Sequence, residues 1–386
     1  KKYKMLYLEY FGNNLIIKKF KKEFSSKSNF AGKWLHASNL SKNSKLFLKE
    51  KKHIIQKAQK AKKGEFLINN VPINIYSKNI NGDWSKDPIS GKYWEKENIF
   101  KSISSTPGDI KFPWELGRMH QLILFGQAWK CSNDVQWPKE GLKQLKQLVN
   151  ESKFEYGIHW RDGLQLAIRI FSMVGFVDLC NEYNEEFHHE INPIIAMHAY
   201  ALSRQISPES EITNNHIIGE LCALALAGIY LNNKKYFQNS LNKLQIELKR
   251  QIYSDGIPYE GSIPYIRFIL EFLILLYLAI KNSDFEEQHF ILENIDKISS
   301  ALSCLVDSKG NIPPIGDGDD GRVMRFDEEP YLNVNETLQI AGYLTNKYIS
   351  PIKSTFSFKN WLIGNQSIQL KKLNTIESLS ESGLIH

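Results

Sequence analysis

The sequence predicts a mainly α protein, an incomplete (α/α) toroid built from helical hairpins. From about residue 113 onward, apolar residues recur at helical spacing in successive segments of roughly 12 to 20 residues. The links between these segments are short and contain Gly, Asn, Asp or Pro, which favours neighbouring antiparallel helices. No fixed-length sequence repeat is evident, which argues mildly against an ordinary solenoid. A hydrophobic content of 42% supplies a large core and makes a disordered chain a poor interpretation.

The first part of the chain differs from the rest. Residues 1–65 show a helical period with a Lys-rich outer face, for example around Ile54 and Ala58, and we interpret them as a basic helical N-terminal segment. Residues 66–110 change character, because Phe66–Val71 predicts a short strand and Ile80–Gly91 is rich in turn residues.

Successive helices are then predicted at 114–131, 139–150, 162–174, 190–205, 215–231, 234–252, 263–281, 285–304 and 334–345. Beyond them, short strands are predicted at Trp361–Gly364 and Ile368–Leu370, and Glu381–His386 resembles the opening of a further strand. We therefore expect three parts: the segment 1–65, a toroid catalytic domain over 66–350, and the start of a truncated C-terminal β domain over 351–386.

The charge is basic, with a net charge of +7 and a pI near 8.9. Lysines concentrate in the runs 18–22 and 57–63, which fits a polyanionic partner or, more plainly, a solvated helix face. The runs lack the interleaved aromatic and arginine side chains of a nucleic-acid platform, so we predict no nucleic-acid partner.

The four cysteines form no Cys-x-x-Cys pair, so neither a metal site nor a disulfide framework is predicted. No membrane span is predicted either, because the apolar run Phe268–Ile280 is short and interrupted by Glu271. No signal peptide is visible, since residues 1–11 lack a clean apolar core.

Two polar, turn-rich segments each precede an apolar helix and supply the candidate catalytic groups. The first ends in Asn215 and His216. The second contains Tyr265 together with the candidate substrate-binding residues Tyr259, Glu260 and Arg267. Side chains at helix starts lie beside outward-pointing amide groups, where an acidic substrate can be held. An arginine next to a tyrosine also makes phenolate less costly. Helix capping by an asparagine and packing of the tyrosines are the alternative explanations.

Three further segments combine aromatic, cationic and acidic residues of the kind that binds a sugar acid. The candidate binding residues in them are Trp114, Glu115, Arg118, His159, Trp160, Arg169, Asp317 and Arg322. Burial at helix crossings remains the alternative for each tryptophan. The Asp317 loop fits a calcium loop only loosely, and a tight turn fixed by carboxylate-to-backbone bonds fits better.

At these positions the chain resembles the heparinase II/III-like polysaccharide lyases, a bacterial family. The matches occur in the family's order and are Gly108–Arg118, Gly157–Trp160 with Ala167–Arg169, Asn215–His216, Asp255–Gly256 with Glu260, Ser262, Tyr265 and Arg267, and Gly316–Asp317 through Gly321–Arg322. The resemblance implies an α/α toroid followed by a C-terminal β-sandwich, with uronic-acid polymers bound between them. It also favours a periplasmic or secreted protein.

The resemblance implies a carbon–oxygen lyase that cleaves an acidic, uronate-containing glycan by β-elimination. Asn215 and His216 match the family positions that neutralise the C5 carboxylate, and Tyr265 matches the tyrosine that acts as base, acid or both. The family commonly has a histidine where this chain has Ile266. No cofactor is implied in this fragment, whereas a further catalytic histidine and a structural divalent metal belong to the family's β domain.

Other functions stay open from the residues alone. The same fold suits a non-catalytic glycan-binding or glycan-assembly protein. A toroidal glycoside hydrolase would use paired carboxylates among Asp255, Glu260 and Asp317, and would leave saturated product ends.

Overall fold

The computed structural model describes residues 17–24, 26, 28–30, 34–35, 45–68, 70–151, 153–206, 214–281, 288–318, 321–326, 330–348, 358–364, 371–372 and 381–383. The chain divides into two compact units. Unit 1 comprises residues 1–32, 41–206 and 229–233, and unit 2 comprises 33–40, 207–228 and 234–386. The three-part division at residues 65 and 350 stays a prediction.

Unit 1 contains seven described helices and one small sheet. The helices are α1 (17–24), α2 (Lys45–Lys62), α3 (Lys111–Gly117), α4 (Gln121–Ser132), α5 (Gln136–Glu151), α6 (Gly163–Leu179) and α7 (Glu185–Gln205). The sheet pairs β1 (Glu65–Ile68) with β2 (Val71–Asn74) in antiparallel register.

The helices of unit 1 stack as hairpins. Helix α4 packs against α5 and α6 against α7, while α4 also packs on α6 and α5 on α7. Side-chain caps start two of these helices, since Asp162 accepts from the amide of Gln165 and Asn184 accepts from the amide of Phe187. All of α6 is buried, which makes it the centre of this unit's core. This packing confirms the predicted class of helical hairpins.

Unit 2 is also helical. Its elements are α8 (Asn215–Tyr230, with the last two residues in unit 1), α9 (Lys234–Gln251), α10 (Ile263–Ile280), α11 (Gln288–Ser303), α12 (Asn335–Thr345), β3 (Lys347–Tyr348), α13 (Phe358–Ile363) and β4 (Lys371–Lys372). Helix α10 packs on α11 and α12, and α12 packs on α13. The two-residue strands β3 and β4 pair in parallel.

Helix α10 is the apolar centre of unit 2. All its residues are buried except Tyr265, Tyr277 and Ala279. Its 18 residues have a mean hydropathy of 2.0, so by length and composition it could cross a membrane, and the expectation that no apolar run is long enough was wrong. Since 83% of the helix is buried inside the protein, it has the character of a core helix.

Three local predictions differ from the structure. The single strand predicted at Phe66–Val71 is a hairpin, because Asn70 adopts a left-handed φ of 62° at the turn. The predicted helix over 114–131 is broken into α3 and α4 at Met119, which has φ 58°. The strand predicted at Trp361–Gly364 is wrong: Trp361 is buried in α13 against α12.

Two further predictions concern the C-terminal end of the chain. The strand predicted at Ile368–Leu370 and residues 384–386 lie outside the described residues. The described part of the last segment, 381–383, is a turn.

Candidate functional site

The start of helix α8 is capped by Asn214. Its side-chain Oδ1 accepts a hydrogen bond from the backbone amide of His216 at 3.1 Å. Because Asn214 performs the capping, the carboxamide of Asn215 is available for another role. The side chain of His216 is partly exposed.

Asn215 is held by a carboxylate from a distant part of unit 2. Its backbone amide donates to Glu260 Oε2 at 3.0 Å. Its side-chain Nδ2 lies 2.9 Å from Glu260 Oε1 and 3.0 Å from Oε2. Asn215 is only 2% exposed, whereas Glu260 is partly exposed. The carboxylate thus binds both the main chain and the side chain of Asn215.

Tyr265 lies in the first turn of helix α10, where Ser262 is the N-cap. Ser262 Oγ accepts from the Tyr265 amide at 3.4 Å and donates to the main-chain oxygen of Asp317. The phenol of Tyr265 donates to Asp317 Oδ2 at 3.3 Å. Tyr265 is partly exposed and Asp317 is exposed, so this pair reaches solvent.

The loop before Asp317 fits closely against the start of α10. Gly316 has φ 82°, and a Cβ on it would lie 2.8 Å from Ser262 Cα. Only glycine allows this approach at this backbone angle. The sequence therefore fixes Asp317 beside Tyr265 through a glycine turn, which agrees with the tight turn predicted for this loop.

Two residues near Tyr265 in the sequence differ in their exposure. Tyr259 is 52% exposed, so it can meet a ligand at the surface. Ile266, which stands where the resembled family commonly has histidine, is fully buried in the core.

Arg267 and Arg322 share a buried carboxylate. Arg322 Nε lies 3.1 Å and Arg267 Nε 3.7 Å from Glu271 Oε1. The three side chains are 4% exposed or less. Their contact with a substrate stays a prediction. In this structure both arginine charges pair with Glu271 inside unit 2.

In unit 1, Glu115 and Arg118 form a close ion pair within and just beyond α3. Arg118 Nε also donates to Gln165 Oε1 at 2.7 Å. Arg118 is buried, while Trp114 and Glu115 are partly exposed. These three predicted binding residues therefore lie together around the end of α3.

His159, Trp160 and Arg169 are each 1% exposed and belong to a buried network of unit 1. Arg169 donates to the main-chain oxygens of Gly117 and His159, the latter at 3.2 Å, and lies 3.2 Å from His198 Nε2. The Trp160 and His198 rings are 4.8 Å apart. A substrate role for these three residues stays a prediction, because their side chains do not reach the surface.

Burial keeps both histidines of this network neutral. It lowers the pKa of His159 and of His198 to about 3, and the nearby Arg169 charge adds to the effect. His198 Nδ1 lies 2.8 Å from the Ile194 carbonyl, so that nitrogen carries the proton and Nε2 accepts from Arg169. Burial also lowers the pKa of Arg169 to about 9.

The structure thus gathers the predicted residues into two groups. In unit 2 it joins Asn215 to Glu260 and Tyr265 to Asp317. The unit 1 residues form a group around α3, α6 and the 3₁₀ turn Ile158–Trp160. The sequence reasoning missed Glu271 and His198. The spacing of four between Arg267 and Glu271 on one helix face could have revealed Glu271, whereas nothing in the sequence pattern signals His198.

The potential metal ligands of the described residues do not cluster. Among them, no group of three or more His, Cys, Asp or Glu side chains could hold a metal ion. All four cysteines carry free thiols, with Cys131, Cys180 and Cys222 buried. That this fragment needs no cofactor stays a prediction.

The class of protein follows from similarity to a known family. The heparinase II/III N-terminal family model matches residues 13–322, which is most of the chain. The chain therefore belongs to the heparinase II/III N-terminus family, as the sequence resemblance predicted. No curated protein sequence gives a match.

Solved structures of polysaccharide lyases share the fold. Heparinase III matches with a TM-score of 0.53 at 16% identity, covering 77% of this chain and 45% of its own. The heparan sulfate lyase HepC from Pedobacter heparinus matches with a TM-score of 0.50 at 16% identity, covering 81% of this chain and 50% of its own. This chain spans about half the length of these structures. The structural similarity establishes the fold of the helical toroid. At an identity this low, it does not assign the catalytic residues.

Proposed function

We propose that this chain is the toroid part of a polysaccharide lyase that cleaves an acidic, uronate-containing glycan by β-elimination. Asn215 and His216 would neutralise the uronate carboxylate, and Tyr265 would carry the proton. The proposal is supported by family membership and by the fold shared with heparinase III and HepC.

One observation carries the proposal. Tyr265 is one of three residues of α10 that are not buried, and it lies at the helix start rather than in the core. Glu260, in the segment just before that helix, binds Asn215 at the start of α8. The start of α8 carries Asn215 and the partly exposed His216, and the start of α10 carries Tyr265. Both helix starts lie in one compact unit, and the Glu260 side chain links them. Helix starts favour anions, which suits a uronate.

The chemistry these residues would perform is a β-elimination, in which the C5–H and C4–O4 bonds break and a C4–C5 double bond and an O4–H bond form. Hydrogen bonds from Asn215 and His216 stabilise the negative charge that develops on the carboxylate when C5 loses its proton. Tyr265, as phenolate, takes that proton, and the electron pair forms the C4–C5 double bond. The C4–O4 bond breaks, and Tyr265 returns the proton to the leaving O4 oxygen. The step moves one proton and needs no cofactor from this chain.

The charges at the surface of the site bear on the substrate. Asp317 and Glu260 are partly or fully exposed, whereas Arg267 and Arg322 are buried against Glu271. Of the donors at the two helix starts, His216 and Tyr265 reach the surface, and Asn215 is 2% exposed. The family resemblance also favours a periplasmic or secreted protein, since acidic polysaccharides occur in those compartments.

The test is product formation by the chain and by the natural full-length protein. Each is incubated with heparan sulfate, alginate and bacterial capsule polymers, and absorbance from the unsaturated uronate end is followed. We expect absorbance to rise with at least one polymer. Binding of the polymers without any new absorbance would overturn the catalytic proposal.

A second candidate, a non-catalytic glycan-binding or glycan-assembly protein, is favoured by one observation. The two arginines predicted to bind substrate, Arg267 and Arg322, are buried against Glu271 rather than presented to solvent. This candidate predicts that polymers bind without being cleaved. It also predicts that replacing Tyr265 leaves the affinity unchanged.

A further inference from the structure

We infer that Glu260 is a positioning residue, whose carboxylate fixes the carboxamide of Asn215 and sets its place relative to Tyr265. The inference rests on the proposed function and deepens it. The sequence alone suggests that Glu260 contacts the substrate, whereas the contacts around it assign a role that acts through Asn215.

The geometry of the contact shows which end of the carboxamide faces Glu260. Both carboxylate oxygens lie within 3.0 Å of Asn215 Nδ2. An ionised carboxylate only accepts hydrogen bonds, so the amide nitrogen and not the amide oxygen must face it. The two oxygens of one carboxylate are too close together to take one N–H each from the same nitrogen. One N–H therefore serves Glu260, and the second points away from that carboxylate, which leaves it as the donor that the proposed function assigns to Asn215.

The contact also holds the backbone from which the carboxamide extends. The Asn215 amide donates to Glu260 Oε2 at 3.0 Å, so the carboxylate binds the first residue of α8 at two points. Asn214 already caps the helix through the His216 amide, which makes the Glu260 contact additional to ordinary capping. Two attachment points remove the rotation that a single contact would leave to the side chain.

Glu260 further connects the two helix starts. It is separated from Ser262, the N-cap of α10, by Gly261 alone, and Ser262 accepts from the Tyr265 amide. A shift of the Glu260 carboxylate would therefore change the spacing between the Asn215 amide and the Tyr265 phenol. In acid–base and electrostatic catalysis, misplacement of about 1 Å can cost roughly 100-fold in rate.

The test compares Glu260→Ala and Glu260→Gln with Asn215→Ala and with the double variant of Glu260→Ala and Asn215→Ala. The matched control is Glu293→Ala, an exposed glutamate of α11 in the same unit. We expect Glu260→Ala to lower kcat by about 100-fold with a smaller change in KM, because the oriented donor acts on the developing charge. Glu260→Gln keeps an acceptor for the Asn215 amide and should recover part of the loss. Glu293→Ala should match the unmodified chain.

The double variant decides whether Glu260 acts through Asn215. If it does, Glu260→Ala adds no further loss once Asn215 is already alanine. Losses that multiply, or an equal loss in Glu260→Gln and Glu260→Ala, would overturn the positioning role.

Crystal structures keep the positioning inference separate from the proposed function. If neither the unmodified protein nor any variant forms an unsaturated product, the lyase proposal fails. The inference still predicts that the Asn215 carboxamide changes its orientation in Glu260→Ala and keeps its original orientation in Glu293→Ala. An unchanged Asn215 side chain in Glu260→Ala would overturn the inference whatever the activity.

Discussion

Arg322 Nε lies 3.1 Å from Glu271 Oε1, and this contact joins the loop after residue 320 to the core helix α10. The same oxygen lies 3.7 Å from Arg267 Nε. Glu271 also accepts from the Val323 amide at 3.0 Å and from Thr337 Oγ1 at 3.3 Å. One fully buried carboxylate thus serves two guanidinium groups, an amide and a hydroxyl.

Removal of this carboxylate should destabilise the protein strongly. Glu271→Ala removes the carboxylate that the two buried guanidinium groups share, and we expect a loss of about 3–5 kcal/mol in the free energy of unfolding. The matched control is Glu97→Ala, which breaks an exposed pair with Lys101 and should cost under about 1 kcal/mol. Urea unfolding midpoints measure both. Equal losses of unfolding free energy in the two variants would mean that water solvates Arg267 and Arg322 once Glu271 is removed, so that burial of their charges carries no penalty.

This cluster shows why site prediction from the sequence was only partly successful. Arg267 and Arg322 were identified as substrate cations from their motif, but a motif gives no burial. Glu271 was interpreted as an interruption of an apolar run, although it lies four residues after Arg267 and so on the same helix face. Its link to Arg322 is set by tertiary packing over 51 positions, which no local pattern reveals.

The fold could be predicted more completely than the site, because helical periodicity is a local pattern that a single sequence shows. The errors arose where short segments decide. Met119, which lies between α3 and α4, adopts a left-handed backbone that its side chain does not favour, so no local preference predicts the break. The apolar residues at 361–363 are too few to distinguish a strand from a helix.

Gly117 should tolerate no side chain. A Cβ there would lie 2.5 Å from His159 Nδ1 and 3.0 Å from Arg169 Nη2, and both neighbours are buried and held by hydrogen bonds. We expect Gly117→Ala to cost about 3 kcal/mol of unfolding free energy through overpacking. Gly91→Ala has no atom within 4 Å and should cost only the backbone strain of its φ of 71°, about 1 kcal/mol. A milder effect at Gly117 than at Gly91 in thermal unfolding would contradict the rigid network.

Glu151 should make stability depend on pH. Its side chain is 9% exposed, and burial raises the pKa of its carboxyl to about 7 against the opposing charge of Lys96. His159 Nε2, 4.0 Å away, gives no ion pair because the lowered pKa of that histidine keeps it neutral. Between the unfolded and folded pKa values the native state holds a proton that the unfolded chain has released. Stability therefore falls as pH rises from about 4.5 to 7.

Glu151→Gln removes this penalty and keeps an acceptor for the Ser85 amide. We expect the variant to be more stable than the unmodified protein by about 3 kcal/mol at pH 8, and by under about 1 kcal/mol at pH 5. Urea unfolding at both pH values measures the difference, and Glu97→Gln, at an exposed carboxylate, serves as control. A gain that is the same at both pH values would show that packing rather than ionisation is responsible.

Tyr265→Phe should separate catalysis from stability. Its phenol makes a hydrogen bond of 3.3 Å to an exposed Asp317, and an exposed contact of this length adds little to folding. We therefore expect the urea midpoint to change by less than the equivalent of about 1 kcal/mol. If Tyr265 carries the proton, turnover measured by unsaturated uronate should fall by about 100- to 10,000-fold. Tyr253→Phe, which removes the hydroxyl of another exposed tyrosine in the same unit, should leave both quantities unchanged. Substantial turnover in Tyr265→Phe would exclude the phenol as the proton carrier and leave His216 as the remaining titratable group of the proposed set.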